Sequence, residues 1–117
     1  MPRTISRITK GARRKGAAPS VAYETWLIER LREPAEAAAY LEAVLEDGAQ
    51  SAIMLALRQI ARAQGGVAYI ARKAKLTREA TYKMLSKAGN PELKSFKAVL
   101  KATGLRIAVK PIEKRTA

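Results

Sequence analysis

From Tyr23 onward the apolar residues recur at helical spacing, in stretches punctuated by Pro and Gly. "YETWLIERLREP" places Trp26, Leu27 and Leu31 on one side and stops at Pro34, a residue suited to the first turn of a new helix. "PAEAAAYLEAVLEDG" carries Ala37, Tyr40, Leu41, Val44 and Leu45 on one face and ends at Gly48. "SAIMLALRQIARAQGG" begins with Ser51 as N-cap and turns Ile53, Met54, Leu57, Ile60 and Ala61 inward. A short helix over 67–74 faces Val67, Ile70, Ala71 and Ala74 to the core. Thr77 caps another over 78–87, which Leu76, Met84 and Leu85 anchor. Helix 92–103 presents Leu93, Phe96, Val99 and Leu100 and stops at Gly104.

The last apolar stretch changes period. In "LRIAVKPI", Leu105, Ile107 and Val109 alternate with Arg106, Ala108 and Lys110, which predicts a half-buried strand. A lone strand leaves a row of unpaired backbone groups, so it needs a partner. That partner is either "RTISRIT" within the chain or a second copy of the strand across a two-fold axis. The second is favoured because two-fold dimers are the commonest assembly, and it makes Leu105, Ile107 and Val109 dimerisation residues. The expected fold is mainly α, with five to six helices and one C-terminal β-strand. Residues 21–112 form its single domain. Residues 1–20 are a basic arm, rich in Gly, Pro, Ser and Arg and without acids, expected to be flexible. Residues 113–117 are a tail.

Charge adds a division that hydropathy does not show. The net charge is +13, but residues 21–50 hold two Lys/Arg against seven Asp/Glu, while residues 51–117 hold fifteen against three. A basic body suggests a polyanionic partner. The acidic segment is either a solvated helical face or a second, different surface. There is no Cys and no His, which excludes disulfides, thiolate chemistry, the usual zinc sites and the commonest general base. Neither a Gly-rich phosphate loop nor a second group near Glu79 supports an enzyme, and no cofactor is expected. No apolar run approaches the roughly 20 residues of a membrane span, so a cytoplasmic location is expected, with no membrane partner.

The polar side of "KLTREATYKML" then becomes informative. Helix 67–74, a tight turn and helix 78–87 have the spacing of a helix-turn-helix over 67–87. Ala71 is small where the helices approach, and Ile70, Ala74 and Leu76 share their core. Arg78, Glu79, Tyr82 and Lys83 project from the second helix, the one such motifs place in the major groove of double-stranded DNA. Arg can donate two hydrogen bonds to guanine, and Glu can accept from cytosine. Lys73, Lys75, Lys83, Lys87, Lys94 and Lys97 are placed to neutralise phosphates, and Ser95 lies in the first turn of helix 92–103, whose free N–H groups can bind another. Lys75 takes the turn position where Gly is usual, because that residue adopts positive φ.

The stretches "YLEAVLEDG", "LALRQIARAQGG", "LTREATYKMLSKAGNPELKSF" and "LKATGLRIAV" resemble the addiction-module antidote proteins, HigA-like antitoxins with a Cro/repressor-type helix-turn-helix. The likeness runs from about Tyr23 to Pro111. Lys75 and Thr81 stand where members more often carry Gly and an apolar residue. The resemblance implies a DNA-binding antitoxin that neutralises a small, basic RelE/ParE-like toxin encoded alongside and represses their shared promoter, as a homodimer on a palindromic operator. It makes Thr77 to Ser86 the reading helix. The toxin surface is expected on the acidic segment, at Glu24, Glu42, Glu46 and Asp47. A stand-alone helix-turn-helix regulator without a toxin is the rival reading, since it needs the same helix.

Overall fold

The computed structural model of the protein describes residues 21–113. Over that range there are six helices: α1 (Val21–Arg30), α2 (Pro34–Asp47), α3 (Gln50–Ala63), α4 (Val67–Lys73), α5 (Arg78–Met84) and α6 (Leu93–Ala102). Helix α3 forms the axis of the core. Its Ala56, Leu57, Ile60 and Ala61 are wholly buried, with Met54 nearly so. Against them pack Leu27 and Leu31 from the α1 side, Ala37 and Leu41 of α2, Val67 and Ile70 of α4, Met84 and Leu85 of α5, and Val99 and Leu100 of α6. Each fully buried Leu or Ile contributes roughly 1.5–3 kcal/mol.

Polar side chains of α3 and its end tie the first two helices down. Gln64 Nε2 donates to the carbonyls of Leu31 (3.0 Å) and Arg32 (3.2 Å), which follow α1 and would otherwise lack partners. Arg62 pairs with Glu24 at 3.1 Å. Tyr40 of α2 donates its hydroxyl to Gln59 Oε1 at 2.6 Å, satisfying a Gln that is almost completely buried. Burial raises the Tyr40 hydroxyl above its ordinary pKa near 10.0, and neighbouring Tyr23 and Glu24 add to the shift. Pro34 opens α2 in its first turn, as the sequence suggests.

Three helices end in the same way. After α3, α4 and α6 the second residue past the cap returns its N–H to the carbonyl five back: Gly66 to Ala61 (2.8 Å), Leu76 to Ala71 (2.9 Å) and Leu105 to Leu100 (2.9 Å). The residue before it must then take positive φ, and it is Gly65 (+123°), Lys75 (+62°) and Gly104 (+91°). Lys75 thus adopts in the α4–α5 turn the conformation that its two counterparts leave to glycine.

Several expectations need correction. The period-two pattern at 105–112 predicts a strand, but the described residues contain none. A strand exists only through hydrogen bonds to another strand, and no described segment offers one to Leu105, Ile107 or Val109. The stretch instead leaves α6 with Leu105 half-buried against the core and Val109 exposed, and Lys110 meets Glu42 of α2 at 3.0 Å. Helix α3 starts at Gln50, with Ala49 at the N-cap and no side-chain cap, rather than at Ser51. Trp26 and Leu45 are about half-exposed and Leu93 more so; the Trp26 ring is covered instead by Tyr23, with ring centroids 5.7 Å apart, and by the Arg30 guanidinium at 5.4 Å. The arm over 1–20, including "RTISRIT", lies outside the described residues, as does the tail beyond residue 113.

Two stability measurements test this reading. A left-handed non-glycine residue costs on the order of 1 kcal/mol, so Lys75→Gly should raise the unfolding free energy by about 0.5–1 kcal/mol in urea titration, net of the entropy glycine adds to the unfolded chain; a fall would refute the strain. For Tyr40, a folded-state pKa above the ordinary value means its contribution is complete below pH 10 and lost as pH rises through the folded pKa. Tyr40→Phe should therefore cost about 1 kcal/mol at neutral pH, and its deficit should shrink above pH 10. A deficit unchanged to pH 11 would rule this out.

Candidate nucleic-acid interface

Helices α4 and α5 are short, seven residues each, and pack on one another across the Lys75 turn. Val67, Ile70 and Ala71 bury one side of α4, and Thr81 and Met84 bury one side of α5, with Leu85 just beyond. Thr77 caps α5: its hydroxyl accepts from the Ala80 N–H at 3.0 Å. Thr81 occupies a wholly buried position, and its hydroxyl is satisfied locally by donating to the Thr77 carbonyl at 2.8 Å. A polar residue therefore fits where an apolar one is usual.

With Thr81 and Met84 turned in, Arg78, Glu79, Tyr82 and Lys83 are all exposed. None of the three charged ones has an ion-pair partner among the described residues. The Arg78 guanidinium lies 5.7 Å over the Tyr82 ring, which makes one stacked unit of two side chains four residues apart. Lys75, Lys87 and Lys94 are exposed, and Ser95 is half-buried in the first turn of α6. That helix starts from Glu92 at its N-cap, so a carboxylate stands where a phosphate is expected to bind and opposes it.

Sequence reasoning singles out neither Tyr69 nor Arg58. Tyr69, exposed on α4, has Arg72 and Lys73 over its ring, each at 5.7 Å. The spacing i, i+3, i+4 on a seven-residue helix carries that signal. Arg58 of α3 donates to the carbonyl of Leu85 at the end of α5, a contact between distant segments that no local pattern reveals.

The expected toxin residues divide into two pairs. Glu24 and Glu42 are engaged within the chain, by Arg62 and Lys110. Glu46 and Asp47, at the end of α2, are exposed and without ion-pair partners among the described residues. Of the expected dimerisation residues, Leu105 packs on the core, while Ile107 and Val109 face outward. No group of His, Cys, Asp and Glu able to hold a metal ion occurs among the described residues, and no described helix is long and apolar enough to cross a membrane.

Comparison with known proteins finds that the family described as "Probable addiction module antidote protein" matches residues 22–111, from α1 through the segment after α6. A relative from Haemophilus influenzae, described as an uncharacterized protein, is 38% identical over 81 residues, which cover 69% of this chain and 82% of that one. No solved structure matches the chain. With the match spanning all six helices, the chain belongs to the family of probable addiction module antidote proteins.

Proposed function

We propose that the protein is a DNA-binding antitoxin, which neutralises a RelE/ParE-like toxin by direct binding and represses its own promoter. The observation that carries the DNA half is α5. It is a capped helix that turns four unpaired or mutually stacked polar side chains outward, in the part of the chain where cations outnumber acids fifteen to three. In this reading α4 and α5 are a helix-turn-helix. Arg78 and Glu79 meet base edges, Tyr82 supports the Arg78 guanidinium, and Lys83, Lys75, Lys87 and Lys94 neutralise phosphates. Its role is binding rather than catalysis, in the cytoplasm where the DNA lies. Family membership supports the toxin half. The toxin's place is the acidic end of α2, where Glu46 and Asp47 are open, whereas Glu24 and Glu42 are already engaged in ion pairs within the chain. A homodimer on a palindromic operator completes the proposal, with the second copy covering the exposed Ile107 and Val109 side chains.

Arg78→Ala should weaken binding to a duplex carrying the chain's own promoter by about 1–3 kcal/mol and relax preference at one base position. Lys94→Ala should instead weaken all duplexes alike and lower the salt slope by about 1. Binding by Arg78→Ala as tight as the parent's would remove α5 from the DNA. For the toxin, charge reversal at Glu46 and Asp47 together should reduce capture of the co-expressed product of the neighbouring reading frame at least about tenfold, as loss of close charge pairs does. Undiminished capture would place the toxin elsewhere.

A further inference from the structure

Arg58 differs from the arginines that hold the helical frame together. Arg30, Arg32 and Arg62 each meet a carboxylate. Arg58 is half-buried on α3, has no acidic partner among the described residues, and aims Nη1 at the carbonyl of Leu85. Leu85 is the C-cap of α5 and is wholly buried. The last carbonyls of a helix lack partners within it and carry partial negative charge. A guanidinium there fills an orphan acceptor with a charge-assisted bond.

A second tie from the same helix lies beside it. About two turns before Arg58, Gln50 Nε2 donates to the carbonyl of Gly89 at 2.7 Å and to Asn90 Oδ1 at 3.3 Å. Gly89 is itself pressed on the end of α5. Its N–H donates to the Ser86 carbonyl at 2.9 Å, and a Cβ there would stand only 1.8 Å from the Met84 carbonyl oxygen. Two side chains of α3 therefore grip the segment that ends α5. A helix of seven residues has few bonds of its own with which to fix its direction.

We infer that Arg58 is a positioning residue for α5. Together with Gln50 it sets the roll and tilt at which Arg78, Glu79, Tyr82 and Lys83 are presented, and it does not touch the nucleic acid itself. The inference rests on the DNA-reading proposal and deepens it by naming what aims the helix. A guanidinium bound to phosphate adds affinity for every sequence and steepens the salt dependence. One that aims a helix adds affinity only where base contacts form.

The test compares the parent with Arg58→Met, Arg58→Lys and Arg78→Ala. Binding is measured at several salt concentrations to a duplex of the chain's own promoter and to a shuffled duplex of equal length, and amide exchange across α5 is followed in the DNA-free protein. Arg58→Met should lose about tenfold on the promoter duplex, the scale of one misaimed base contact. The shuffled duplex and the salt slope should not change, and exchange at 81–85 should quicken. Arg58→Lys keeps a cationic donor for Leu85 and should recover most of the loss. Equal losses on both duplexes with a shallower slope would make Arg58 a phosphate ligand and overturn the inference, as would full promoter affinity in Arg58→Met. Should Arg58→Met fail to fold, Gln50→Ala and Arg58→Lys carry the same comparison. If Arg78→Ala leaves promoter binding intact, the failure belongs to the DNA reading, and exchange in the free protein alone judges the Arg58 tie.

Discussion

The burial of α3 is the constraint from which the remaining arrangement follows. Four inward positions of that helix, Ala56, Leu57, Ile60 and Ala61, have no contact with water, and two of them are alanines. Small side chains let neighbouring helices come close, and large ones between them lock the approach. Around that axis α1 and α2 lie on one side, held by Gln59, Arg62 and Gln64, and α5 with its following loop lies on another, held by Gln50 and Arg58. Isolated helices of seven residues are unstable in water. Helices α4 and α5 persist because Val67, Ile70, Met84 and Leu85 share this core. The polar side chains of α3 then decide how its neighbours are oriented.

Much of this was legible in the sequence, because helix-forming segments announce themselves through spacing. The six stretches read from Tyr23 to Gly104 correspond to α1 to α6, and Pro34, Gly48 and Thr77 mark boundaries where they were expected. Lys75 was legible too: it takes the turn position where Gly is usual, and it has the positive φ of that position. The strand was not a sound reading. Alternation over "LRIAV" states only that side chains point to two sides, and an extended segment draped over helices alternates as a strand does. Whether such a stretch becomes a strand depends on a partner, and a partner is not encoded in the stretch itself. Ser51 misled for a similar reason, since capping chemistry one or two residues inside a helix looks the same in sequence as capping at its start.

For the candidate site, the outward face of α5 followed from periodicity, with Leu76, Met84 and Leu85 as its anchors, while the burial of Thr81 beside them is visible only in the structure. The contacts that matter beyond it did not. Arg58 and Leu85 are 27 residues apart, and Gln50 and Gly89 are 39 apart. Nothing in either local pattern couples them. The acidic segment was legible as charge but not as availability, because only the folded chain shows Arg62 and Lys110 occupying Glu24 and Glu42.

Helix α5 divides its few residues cleanly between two duties. Thr81, Met84 and the Leu85 cap answer to the core, whereas Arg78, Glu79, Tyr82 and Lys83 make no contact on which folding depends beyond the stacking of Arg78 on Tyr82. Substitutions on the outer face of such a helix are expected to shift stability by no more than about 0.5 kcal/mol each. If the outer face reads DNA as proposed, such a scaffold leaves it free to change what it recognises without cost to the frame. A change of recognition and the upkeep of the architecture would then fall to different residues of the same two turns of helix.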